Sequence, residues 1–167
     1  MANTKSKVVP KNKFADIPEN VDPNQIIMVR NGFNGRLIYV STKTGEKYVW
    51  DALGDEAEMD IKELRSAKGS QKRFFEDNWF MFDDEYSWVI PYLGVTKYYE
   101  NALSIDDLQD FTSKTPSEIK KICASLGEGQ RKTVTYLVRQ LFEEGKIDSM
   151  KTVSALEEGL GISLIER

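Results

Sequence analysis

Histidine is absent from the 167-residue chain, and cysteine occurs once, at Cys123. Histidine is the usual proton shuttle near neutral pH and the commonest side-chain ligand of transition metals. Its absence excludes histidine-activated nucleophiles and the ordinary zinc sites. A single cysteine excludes an internal disulfide and any multi-cysteine metal site, which suits a reducing cytosol. Long hydrophobic runs are also missing. No stretch approaches the ~18 apolar residues that a membrane-spanning helix needs, so no membrane partner is expected. The opening MANTKSKVVPKNK is polar and lysine-rich, without the apolar segment of a secretory signal. Neither GxGxxG nor GxxxxGK[ST] occurs. Gly127-Glu128-Gly129 reads as a break between helices and not as a phosphate cradle.

Carboxylate chemistry survives these exclusions. Asp51, Asp55, Glu56, Glu58 and Asp60 cluster, but not in the order of a calcium loop. Asp83-Asp84-Glu85 reads as a solvated loop, and Asp106 and Asp107 read as helix-capping acids. No catalytic residue, cofactor or metal is assigned. The expectation is a binding protein and not an enzyme.

What the chain does have is a globular balance, 40% hydrophobic and 30% charged, with aromatic residues enough for a sizeable core. The pattern divides it into an extended arm (1–25), a β-rich α+β domain (26–103) and a small helical bundle (104–167). The fold class expected is α+β, an antiparallel β-meander followed by helices. Three strands are read from Ile26–Val29, Arg36–Val40 and Glu46–Trp50, separated by turn clusters at 31–35 and 42–45. Leu37, Tyr39 and Ser41 share one face of the middle strand, and Ile38 and Val40 share the other. Ser66–Asp77 is expected to turn into a short basic helix. Trp79–Phe82 is expected to be a buried strand, and Glu85–Leu93 a helix limited by Pro91. Thr96–Ala102 reads as a further short helix. Ser104 caps a helix over Ile105–Thr112, and Thr115-Pro116-Ser117-Glu118 is a capping box with proline at the first helical position. Apolar stripes then mark a helix carrying Ile119, Ile122, Cys123 and Leu126, another over Gln130–Glu144, and a last one capped by Ser149.

Two sets of residues are candidates for binding. In the arm, Val8, Val9 and Phe14 would anchor on a neighbouring subunit if a neighbour orders this segment; a tail without fixed structure stays open as the alternative. In the hairpin, Ile38 and Val40 offer a second apolar face. The other set would contact nucleic acid. Lys72 and Arg73 adjoin Phe74-Phe75, a basic and aromatic mixture, and Arg131, Lys132 and Arg139 lie on a helix that begins after a glycine turn. Solvated helix faces, and core aromatics with a wet charged rim at Lys72-Arg73-Phe74-Phe75, are the leading readings of these residues, and the net charge of −4 argues weakly against a nucleic-acid coat.

The stretches NGFNGRLIYVSTKTGEKYVWDALGDE, KGSQKRFFEDNWFMFDDE and YLGVTKYY, with the C-terminal GEGQRKTVTYLVRQLFEEGKIDSMKTVSALEEGLGISLIER, resemble small proteins encoded in the structural-gene modules of tailed bacteriophages of Gram-positive hosts. The resemblance spans residues 26–167 and brings no catalytic residues. It implies a virion structural or assembly protein, associated with head, neck or tail and made in the host cytoplasm. Its partners would be other virion proteins or copies of itself. The alternative is a nucleic-acid-binding regulator that uses the basic helical third.

Overall fold

The computed structural model describes residues 13–165, in which a strand-rich N-terminal region precedes a helical half, an α+β arrangement. The strands are β1 (Ile26–Asn31), β2 (Leu37–Val40), β3 (Lys47–Trp50), β4 (Glu56–Asp60) and β5 (Phe80–Met81). They form two antiparallel sheets, a three-stranded one in the order β4-β1-β5 and the separate β2-β3 hairpin. The continuous meander expected over 26–50 is therefore corrected: β2 and β3 pair as read, but β1 does not join them.

The turn cluster after β1 explains the difference. Asn31 is fully buried, and its side-chain amide donates to the carbonyls of Gly35 (2.8 Å) and Ala52 (3.0 Å). Its side-chain oxygen accepts from the Phe33 N–H (2.7 Å). The Gly32 N–H donates to Trp79 O (2.8 Å), and a Cβ on Gly32 would collide with Asn78 O and the Met81 side chain. Residues 31–35 are thus pinned against the β5 segment and the β3–β4 loop, which sends β2 away from the edge of β1. Sequence pattern finds strands; it does not find their partners.

The helices are α1 (Ile61–Ser70), α2 (Arg73–Glu76), α3 (Val89–Leu93), α4 (Ile105–Asp110), α5 (Pro116–Ser125), α6 (Glu128–Glu143) and α7 (Met150–Leu160), with single 3₁₀ turns at Asp84–Tyr86, Thr96–Tyr98 and Phe111–Ser113. Asp60 caps α1 by accepting from the Glu63 N–H (2.8 Å). The expected basic helix at 66–77 is split, because Ser66–Ser70 completes α1 and only one turn remains in α2. Pro91 is the third residue of α3, where its missing N–H costs nothing, so it opens the helix that it was expected to limit. The capping box of Thr115 and Glu118 opens α5 as the sequence indicates.

One apolar core runs through both halves, from Tyr39, Trp50 and Phe80 to Phe111, Ile119 and Leu156. Phe80 is its aromatic hub, with ring centroids 5.0–5.7 Å from Phe74, Phe75, Tyr39 and Trp50. Buried Gln130 clasps the two halves, its amide exchanging bonds of 2.7 and 3.0 Å with the main chain of Leu103. The described part of the arm lies on its own chain. Lys13 Nζ donates to Tyr99 O (3.1 Å) and Glu100 O (2.9 Å), Phe14 packs on the core, and the Ala15 N–H reaches Ser87 Oγ (2.7 Å). Among the described residues, no helix is long and apolar enough to cross a membrane.

Candidate functional site

The β2-β3 hairpin presents the clearest surface. Its register pairs Leu37 with Trp50, Ile38 with Val49, Tyr39 with Tyr48 and Val40 with Lys47. The inner face carries Leu37, Tyr39, Ser41 and Trp50, all buried. It is fastened by side chains: Tyr39 Oη (2.5 Å) and Ser41 Oγ (2.9 Å) both donate to the Glu63 carboxylate, and Trp50 Nε1 donates to Val29 O (2.9 Å). Burial, and then the Glu63 carboxylate beside it, raises the Tyr39 phenol above its usual range. The outer face carries Ile38 and Val40, which are 44% and 45% exposed, next to half-buried Val49. Arg36 and Asp51 close one end of that face as an exposed ion pair (3.8 Å), and Lys47 stands at the other.

The strand's main chain is as informative as its side chains. Ser41 N–H donates to Glu46 O (2.9 Å), so the residues of β2 that share its parity, Leu37 and Tyr39, exchange ladder bonds with β3. Ile38 and Val40 consequently turn their N–H and C=O groups outward. Gln71 Nε2 donates to Val40 O (2.9 Å), and within the described residues it is the side chain that covers this edge. Among the described residues, the other large exposed apolar side chains, Ile17, Ile26, Tyr136 and Met150, lie on the N-terminal segment, β1, α6 and α7.

The other candidates are placed differently. Val8 and Val9 lie outside the described residues. Phe14 is half-buried against its own chain. Arg73 sits 5.0 Å above the Trp79 ring and 2.9 Å from the Asp77 carboxylate, while Phe75 is buried and Phe74 half-buried, so these aromatics serve the core. Arg131 donates to Gly159 O (3.2 Å) and Cys123 O (2.9 Å), the carbonyl ends of α7 and α5. Arg139 donates to Ser163 O (3.0 Å). These two guanidiniums tie the bundle together. Lys72 and Lys132 are exposed; Lys132 lines a cleft of about 360 Å³ in which Glu76, Asp77 and Glu128 face Lys97 and Lys132. A second cleft, of about 380 Å³, gathers Asp83, Asp84, Glu85 and Asp106 beside Arg30, whose guanidinium is 3.1 Å from Asp83. Among the described residues, no group of three or more Cys, Asp or Glu side chains is placed to hold a metal ion. Burial pushes the Cys123 thiol up to about 11, which makes it a poor nucleophile near neutral pH.

Sequence reasoning missed Glu63. It occupies the buried stripe of α1 with Ile61, Leu64 and Ala67, and a carboxylate on an apolar stripe is itself a signal of a partner nearby. The chain matches no family model, no curated protein and no solved structure.

Proposed function

We propose that this chain works by binding other proteins through the outward face and open edge of the β2-β3 hairpin, as a structural or assembly component of a tailed-phage virion. The observation that supports binding is the pairing of exposed Ile38 and Val40 with main-chain groups that no strand takes up. Such an edge joins partners readily. The phage setting comes from the sequence resemblance. The basic residues support the nucleic-acid reading less, because Arg73, Arg131 and Arg139 already have partners within the chain.

Incorporation into particles is the test. Ile38→Asp combined with Val40→Asp changes only solvent-facing side chains, so the variant should keep the wild-type circular dichroism yet fail to co-sediment with particles. Normal incorporation of a folded variant would remove the proposal. A gel-shift titration against salt addresses the alternative, since phosphate contacts lose affinity steeply as ionic strength rises.

A further inference from the structure

We infer that the partner at this edge is a second copy of the chain, with β2 of one copy pairing antiparallel to β2 of the other across a two-fold axis. This deepens the protein-binding reading and rests on it. Three observations lead here. The hairpin is a sheet of only two strands and makes no ladder bonds to the three-stranded sheet, so the outer edge of β2 has no strand partner within the described residues. Apart from Gln71 on Val40 O, the β2 edge lacks the usual guards against strand addition: residues 37–40 contain no proline, no charge and no bulge.

The third observation is self-complementarity. Ile38 and Val40 are the residues whose N–H and C=O groups point outward, so a two-fold axis through Tyr39 sets Ile38 opposite Val40 of the second copy, and Val40 opposite its Ile38. That pairing uses outward N–H groups on both chains. It also places apolar side chains opposite apolar side chains on the exposed face, with Thr42 opposite Arg36 and no like charges opposed. Gln71 takes one lone pair of Val40 O and leaves the second for the incoming strand. The product is a four-stranded sheet in the order β3-β2-β2-β3, its outer face carrying Ile38, Val40 and Val49 from both copies.

Sedimentation equilibrium on the full chain, from low micromolar to millimolar concentration, reads the association, and amide exchange reads its location. The expected result is a mass that climbs toward twice that of the monomer. The Ile38 and Val40 amides should gain protection as concentration rises, while the Tyr39 amide is slow throughout. Val40→Pro deletes a donor that has no ladder partner in the single chain, and Ile38→Asp leaves the main chain intact. Both variants should keep the wild-type thermal midpoint within a few degrees and remain monomeric. A wild-type chain that stays monomeric overturns the inference, as does a dimer whose Ile38 and Val40 amides exchange freely. If the wild type is monomeric but Ile38→Asp blocks particle incorporation, self-pairing fails and the protein-binding reading stands. If the dimer forms through the edge while the monomeric variants still enter particles, self-pairing stands and the proposed function fails.

Discussion

Beneath the hairpin, the carboxylate of Glu63 takes hydrogen bonds from two hydroxyls, Tyr39 Oη at 2.5 Å and Ser41 Oγ at 2.9 Å, while the residue's own N–H is held by the Asp60 cap. A buried carboxylate is costly unless its oxygens are satisfied. Tyr39→Phe keeps the ring in its contacts with Phe74, Phe80 and Tyr48 and removes one of those donors. Urea unfolding should show a loss of about 1–3 kcal/mol with an unchanged slope. No measurable loss would mean that water replaces the hydroxyl. Glu63 lies 24 residues beyond Tyr39 and 22 beyond Ser41. Ser41 was legible on the Leu37 and Tyr39 face by strand alternation, but its partner was not, because alternation says nothing about which helix covers a face.

At the scale of elements, caps, stripes and the β2-β3 hairpin read well, and the partners of β1 did not. Thr115, Pro116 and Glu118 announce α5 because the capping chemistry is local, and Ser104 and Ser149 announce α4 and α7 in the same way. The partners of β1 were hidden, because β4 and β5 are brought to it by contacts 26 to 51 residues along the chain, from Glu56 opposite Arg30 to Met81 opposite Arg30. Two glycines test helix packing directly. Gly159 of α7 meets α5 so closely that an added Cβ would stand 2.6 Å from Cys123 Cβ and 3.2 Å from Lys120 O. Gly69 of α1 has open space where a Cβ would go. Gly159→Ala should therefore destabilise by about 1–3 kcal/mol through forced separation of the helices. Gly69→Ala should stabilise by about 0.5–1 kcal/mol through helix propensity. Thermal melts of both variants check the pair, and equal shifts would contradict this account of the α5–α7 contact.

The whole molecule responds to alkaline pH through its tyrosines. Burial raises the phenols of Tyr39 and Tyr99, and it pushes that of Tyr48 up to about 12, aided by Glu46. In each case the folded state holds a proton that the unfolded chain releases near pH ~10. Their contribution to stability is complete below that value and is lost as pH rises through the higher folded values. Titration of the seven tyrosines by phenolate absorbance should accordingly leave Tyr39, Tyr48 and Tyr99 silent near pH ~10, and should end in cooperative unfolding. Seven independent titrations near pH ~10 would show these rings to be accessible.

The hairpin reaches the rest of the fold through side chains: Tyr39 and Ser41 to Glu63, Trp50 to Val29, Gln71 to Val40 and Asn31 to Gly35 and Ala52. Under a mechanical load this matters. Strands joined by a ladder resist shear with many main-chain bonds at once, whereas this hairpin resists it with side chains alone. Force applied at Ile38 and Val40 would load those side-chain bonds and the buried Leu37, Tyr39 and Trp50, and not a ladder to the β4-β1-β5 sheet.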